Sequence, residues 1–387
     1  MQLKLSRKPT SEEEQQAPEA VSATAESAIE TLNRRADLSG ITGLDISSSQ
    51  LAAATVSGGR VKSASYMTLD PGLVVDGEIA QPEELGAAIS QFISASGLSD
   101  SVRIGVASSR VVIRSFEMPR IDDRREFEAA IRFQASDHLP MSVDEAVIDY
   151  QIVGTAPAEE SGQQEKFQVV LVGASRGLID SIIATAHHAG VKLQSIDLSA
   201  FGLIRALYPG SATAAETICY LHVGDMVNVT LAQGTICKFT RVTPTGTGAA
   251  LARLRDRATL TQEHAEMWFE HVGLLAPVES ISGEQDIVLA AREELQTMVD
   301  QLGNDITAAV DFHNVQAGAV PASRILLSGP VARIEGVAEA LQQRTGLLVS
   351  VPAPLGALDA SEVESDGVDL SRLTIAAGLA LEEAAAQ

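Results

Sequence analysis

Alternation of apolar and polar positions organises this chain. From Ile41 to Leu69 three short runs follow one another: Gly43-Leu44-Asp45-Ile46 ending in Ser47-Ser48-Ser49, then Leu51 to Val56 ending in Ser57-Gly58-Gly59, then Val61 to Leu69. Strand, polar turn, strand, glycine-containing hairpin turn, strand is the pattern of consecutive antiparallel strands. The same order returns from Thr217. Tyr220-Leu221-His222-Val223 runs into Gly224-Asp225-Met226, Val227 to Leu231 runs into Gln233-Gly234, and Ile236 to Val242 follows. Two such openings predict a duplicated fold.

Helical spacing takes over at Gln81-Pro82-Glu83-Glu84, where a first-turn proline and two acids mark a helix start. Leu85, Ile89, Phe92 and Ile93 share one face, so this helix covers a sheet, and Gly97 ends it. Val102 to Ala107 and Arg110 to Met118 read as strands. A helix from about Asp122 carries Phe127, Ala130, Ile131 and Ala135, and closes at His138-Leu139-Pro140. Strands at Ala146 to Val153 and Phe167 to Gly173, joined by the acidic loop Thr155 to Glu165, complete a compact inserted unit. A helix from about Gly177 to His188, a strand from Val191 to Leu198 and the run Phe201 to Leu207 lead to Tyr208-Pro209-Gly210, read as the joint between halves.

In the second half, Thr243-Pro244-Thr245-Gly246-Thr247-Gly248 precedes helical segments at Ala249 to Arg257 and Thr261 to Val272. Glycines beside a helix N-terminus can cradle phosphate through free backbone N–H groups. A long helix from about Gln285 to Gln316, a strand at Arg324 to Leu327 ending in Ser328-Gly329-Pro330, a helix from Val331 to Thr345, a strand at Leu347 to Val351 and a last helix from Leu373 to Ala386 finish the chain.

Composition narrows the function classes. At 387 residues the chain exceeds the size at which one core keeps growing, so two lobes are expected. Its apolar content is mainly Ala, Val, Ile and Leu, with one Trp and four Tyr, which suits sheets covered by helices and offers no aromatic platform. A net charge of −23 and a pI near 4.6 set a field that repels phosphate backbones and anionic lipid headgroups. The chain is therefore expected to bind no nucleic acid directly. No apolar run approaches the roughly 20 residues that span a bilayer, and no secretory h-region opens the chain, so a cytosolic protein without direct membrane insertion is expected. Residues 1–38 start with Lys4, Arg7 and Lys8, turn acidic and carry little to bury, the composition of a disordered acidic tail. Cys219 and Cys237 lack neighbours at metal-ligand spacing and read as buried thiols. Adjacent His187 and His188 point about 100° apart on a helix and make no metal pair.

Gly43-Leu44-Asp45-Ile46-Ser47-Ser48-Ser49, the strand end Phe116-Glu117-Met118-Pro119, the helix end Phe133 to Pro140 and Ile148-Asp149-Tyr150 resemble the PilM family of type IV pilus assembly proteins. So do Leu327-Ser328-Gly329-Pro330-Val331 through Val337, and Ala376 to Leu381; the resemblance spans about residues 39–383. It implies an α/β, actin-like and FtsA-related fold of two duplicated ribonuclease-H-like lobes around ATP and Mg²⁺, with a small α+β subdomain inserted in the first lobe. The lobes are expected at 39–208, with the insert at about 117–195, and at 209–387. Carried over by position, Asp45, Ser47, Ser48 and Ser49 form the first phosphate loop, with Asp45 toward Mg²⁺. Gly224 and Asp225 form the second loop, Gly246 and Gly248 lie near the interlobe connection, Glu266 faces the nucleotide, and Gly329 and Gly336 pack on the nucleoside. The implied role is a scaffold with ATP and Mg²⁺ as a structural or switch ligand and little or no ATP turnover, peripheral to the inner face of the cytoplasmic membrane through its partners. Those partners are the N-terminal tail of a PilN-like bitopic membrane protein and other pilus platform proteins.

Three positions depart from the family pattern. His222 stands where an aspartate is usual, Phe269 where a lysine is usual, and Pro330 where a glycine is usual. A neutral imidazole is a poor ligand for a hard cation. Two lost polar contacts at roughly 1.5–3 kcal/mol each lower ATP affinity by orders of magnitude, so the nucleotide site is read as degenerate. The alternatives are an active ATPase or sugar-kinase-like enzyme, for which Asp225 is the one evident base, and an FtsA-like division filament protein. The latter predicts a C-terminal amphipathic membrane helix, which Leu379 to Gln387 lacks.

Overall fold

The chain first builds a meander, β1 (Ile41–Ile46), β2 (Gln50–Ser57) and β3 (Arg60–Thr68), in which neighbouring strands pair antiparallel. This computed structural model describes residues 40–156, 165–210, 216–316, 318–364 and 367–381; the expected acidic tail at 1–38 lies outside them. A small hairpin, β4 (Val74–Val75) and β5 (Glu78–Ile79), leads into α1 (Pro82–Ala95), which starts with Pro82, Glu83 and Glu84 and buries Leu85, Ile89, Phe92 and Ile93. β6 (Ser101–Val106) then pairs parallel to β1.

The next four elements leave the sheet. They are β7 (Val111–Pro119), α2 (Arg124–His138), β8 (Ala146–Ala156) and β9 (Lys166–Ser175), forming a separate antiparallel sheet in the order β7-β9-β8. Asp123 caps α2, accepting from the Arg125 and Glu126 amides at 2.9 Å each. One face of β9 (Val169, Leu171) packs with Phe127, Ile131 and Ala135 of α2, while the other (Val170, Val172, Ala174) joins the core of the lobe. The chain returns through α3 (Arg176–Ala189), packed on α1, and β10 (Lys192–Leu198), parallel to β6, before α4 (Ser199–Leu207). The expected insert at 117–195 is thus corrected to 111–175. Leu178, Ile179, Ile182 and Ala186 of α3 face the lobe core.

The second sheet repeats the first. β11 (Thr217–Val223), β12 (Val227–Gln233) and β13 (Ile236–Thr243) form an antiparallel meander. Helices α5 (Thr247–Ala258), α6 (Gln262–Val272) and the 30-residue α7 (Gln285–Asn314) follow. β14 (Ala322–Ser328) pairs parallel to β11, and after α8 (Val337–Thr345) the short β15 (Leu348–Ser350) pairs parallel to β14. The two five-stranded orders, β10-β6-β1-β2-β3 and β15-β14-β11-β12-β13, are the same topology twice. The helix expected from Val331 to Thr345 is two pieces, a 3₁₀ turn at Pro330–Arg333 and α8, parted where Gly336 takes φ 86°.

After β15 the chain crosses back to the first lobe through α9 (Ser361–Glu364), a 3₁₀ turn at Leu370–Arg372 and α10 (Thr374–Ala380). Asp359 bridges to β3, and Leu355, Val363, Leu373, Ala376 and Ala380 pack on Ala52, Ala54 and Val56 of β2. The expected second lobe of 209–387 therefore loses its last segment to the first lobe, because α10, every residue of which is buried, packs against α4, β1, β2 and β6. The last described helix ends at Ala380; the expected continuation to Ala386 falls on residues 382–387, which lie outside the description. α4 ties the lobes together, since its Leu203 and Ile204 share a core with Ile218, Tyr220 and Leu326 of the second sheet.

Candidate functional site

Duplication brings the two polar strand ends together. Asp45 is the last residue but one of β1, and His222 holds the same place in β11. Asp45 pairs with Ala52 and Gly105, His222 with Asn228 and Ser328, and both line the cleft between the lobes. Asp45 as a whole is half-buried. Desolvation of its carboxyl raises its pKa to about 6, a hydrogen bond from Ser199 Oγ at 3.2 Å opposes this, and the nearby Asp225 adds to it. His222 is buried, and desolvation lowers its pKa to about 4, so the ring is neutral. Ser328 Oγ donates to the Leu221 carbonyl at 3.3 Å, which leaves His222 Nδ1–H to donate to Ser328 Oγ at 3.1 Å. The imidazole is a neutral wall of the cleft, held through Nδ1.

The Ser47–Ser49 turn faces the turn between β11 and β12. Ser49 N–H donates to Asp225 Oδ2 at 2.9 Å, the Ser49 hydroxyl donates to the same oxygen, and the Ser47 hydroxyl lies 3.1 Å from it and from the Gln50 carbonyl. Ser48 Oγ is turned toward Met226 Sδ at 3.9 Å. The donors expected to receive phosphate thus converge on a carboxylate of the other lobe. Behind Asp225, Thr247 N–H donates to the Gly224 carbonyl at 2.8 Å, and a Cβ on Gly246 would stand 2.1 Å from that carbonyl oxygen. Only glycine allows this approach. Gly248 lies against Asp225 and Gly329 against the Val223 carbonyl, so these glycines shape the turn from behind.

The opposite rim is closed by charge. Glu266 on α6 accepts from Arg372 at 2.7 Å; Arg372 also donates to Gln50 Oε1 at 2.7 Å and lies 3.4 Å from Asp369. Arg333, from the 3₁₀ turn of the second lobe, pairs with Asp369 at 2.9 Å and with Glu270 at 3.3 Å. Asp45, Ser47, Gly224, Asp225 and Glu266 therefore meet in one cleft, with Ser48 and Ser49 at its edge and Phe269 and Pro330 in its wall. Gly336 does not join them. It lines a separate hollow of the second lobe with Leu274 and Leu275, because the break before α8 turns it away. Gln50, Arg333, Asp369 and Arg372 were not among the sequence candidates; the isolated Arg372 ahead of an apolar helix is the only local hint of its role.

These residues do not fit Mg²⁺-ATP as they stand. The lining sets four carboxylates, Asp45, Asp225, Glu266 and Glu270, against Arg372, already paired, so an added polyphosphate meets repulsion. The anion-receiving turn holds Asp225 instead. Among the described residues no group of three or more His, Cys, Asp or Glu is arranged to hold a metal ion by itself, so a Mg²⁺ here would depend on phosphate oxygens that the Asp225 carboxylate displaces. The cavity measures about 70 Å³, against roughly 300–1,000 Å³ for small-molecule sites. Elsewhere, Cys219 and Cys237 are buried free thiols, as expected, and burial pushes both up to about 12. No helix among the described residues is long and apolar enough to cross a membrane.

A family model described as type IV pilus assembly protein PilM matches residues 43–384. The solved structure entitled PilM-PilN type IV pilus biogenesis complex is similar at a TM-score of 0.70 and 20% identity, covering 88% of this chain and 97% of that one. The ethanolamine utilization protein EutJ from Carboxydothermus hydrogenoformans matches at a TM-score of 0.49 and 12% identity, over 93% of this chain and 99% of that one. MreB5 of Spiroplasma citri bound to ADP gives 0.48 and 11%, over 87% and 94%. The fold is the actin-like one expected, with two lobes of like topology.

Proposed function

Because the chain belongs to the type IV pilus assembly protein PilM family, we propose that it is a cytoplasmic scaffold of the pilus inner-membrane platform. It binds the N-terminal tail of a PilN-like bitopic membrane protein and reaches the membrane, and other platform proteins, through that partner. The family match over residues 43–384 carries this reading. The inserted β7-α2-β8-β9 unit supports it. Its sheet has a hydrophobic core on one face and is fused to the first-lobe core by the other face of β9, so it offers a rigid wall beside that lobe. A rigid wall lowers the entropic cost of receiving an extended tail.

The role needs no bond-making chemistry. Asp225, the candidate base, has one oxygen engaged by the Ser47–Ser49 turn, and Mg²⁺-ATP enters this reading only as a ligand of an opened cleft. Co-expression with the PilN-like protein tests the proposal: the chain should sediment with membranes when the partner's tail is present and stay in the soluble fraction when it is deleted. Equal membrane association with and without the tail would refute it.

A further inference from the structure

The cleft carries a feature beyond the scaffold reading and independent of the partner's identity. In an anion-binding turn, backbone and hydroxyl donors point at one spot where a negatively charged oxygen sits. Here that spot is filled from within. Asp225 Oδ2 receives the Ser49 amide at 2.9 Å and the Ser49 hydroxyl, with the Ser47 hydroxyl at 3.1 Å. Asp225 stands on the β11–β12 turn, whereas the serines stand between β1 and β2, so the bond joins the lobes.

Across the cleft a second set of bonds joins them again. Arg372, carried on the segment that packs on the first lobe, holds Glu266 of α6 at 2.7 Å and Gln50 at 2.7 Å. Arg333 of the second lobe reaches Asp369 of the returning segment at 2.9 Å. Each clasp pairs a carboxylate with donors of the other lobe. Charge-assisted hydrogen bonds of this kind are the stronger ones; of the three, the Arg372–Glu266 pair is the most buried and least screened, while the Ser49–Asp225 and Arg333–Asp369 contacts lie nearer the surface.

We infer that Asp225 is a built-in substitute for an anionic ligand, and that with the Arg372 and Arg333 pairs it clasps the two lobes shut without a nucleotide. A polyphosphate enters only by displacing the Asp225 carboxylate, and then faces Asp45, Glu266 and Glu270. The closed cleft is the resting and working state of this chain.

Hydrogen exchange on the full-length protein tests this directly, with melting temperature as a second readout and Mg²⁺-ATP as the probe. The Ser49 amide should be protected in the wild type, and millimolar Mg²⁺-ATP should change neither its protection nor the melting temperature. In Asp225→Ala exchange at Ser49 should rise at least about tenfold, and in the isosteric Asp225→Asn, which keeps an oxygen to accept from Ser49 but loses the charge, by a smaller factor, while β1 and β11 keep their protection. Combining Asp225→Ala with Arg372→Gln should increase the radius of gyration in solution. A Ser49 amide whose exchange is the same in wild type and both Asp225 variants would overturn the clasp. So would a wild type that Mg²⁺-ATP stabilises by several degrees.

Discussion

Asp45 and His222 sit at equivalent ends of β1 and β11, and burial drives their titrations in opposite directions. Asp45 moves from its ordinary 3.8 to about 6, so between those values the native state binds the extra proton and stability falls as pH rises. His222 moves from 6.5 to about 4, so the unfolded state binds the extra proton there and stability is lost as pH falls. Each slope is at most about 1 kcal/mol per pH unit, and between pH 4 and 6 they oppose each other. Denaturant titrations should therefore find Asp45→Asn more acid-sensitive than wild type over this range, and His222→Gln gaining stability on acidification. Parallel pH profiles for all three proteins would contradict the burial of both groups. At the same scale, the Asp45-to-Ser49 turn was legible because its chemistry is local in the chain. The Arg372–Glu266 pair was not, since its residues lie far apart in sequence and meet only once the lobes close.

Helices show why some boundaries were legible and others were not. α1 announces itself through Pro82, two first-turn acids and one apolar stripe, and its bounds match the expectation. α3 has an equally clear stripe, but a stripe states that a face is buried and not against what, so the insert expected from sequence takes in this helix, which packs on α1. α10 is the extreme case, as every residue from Thr374 to Ala380 is buried and no polar face points to a neighbour. Its docking depends on small residues: a Cβ on Gly378 would stand 1.8 Å from the Gly202 carbonyl oxygen. Gly378→Ala should cost roughly 1–3 kcal/mol in denaturant unfolding; an unchanged midpoint would contradict the close packing of α10 on α4. At the insert, Asp123→Ala removes the α2 cap and should cost about 1 kcal/mol. Native-state hydrogen exchange should show that loss first in α2.

For the whole molecule, the repeated meander revealed the duplication because antiparallel neighbours leave a period-two pattern within a short stretch. The parallel strands β6, β10, β14 and β15, which complete two sheets of the same order, are set by long connections whose pairing no local pattern records. The return of the chain to the first lobe is likewise a property of assembly, and it carries Arg372 to the cleft. The proposed scaffold role and the proposed clasp together predict that the partner's tail is received with the cleft already shut. Calorimetric titration of the full chain with the synthetic N-terminal tail of the PilN-like protein, with and without Mg²⁺-ATP, tests that statement most directly. Saturable binding of equal affinity in both conditions is the predicted result; no binding at all, or binding only when Mg²⁺-ATP is present, would contradict it.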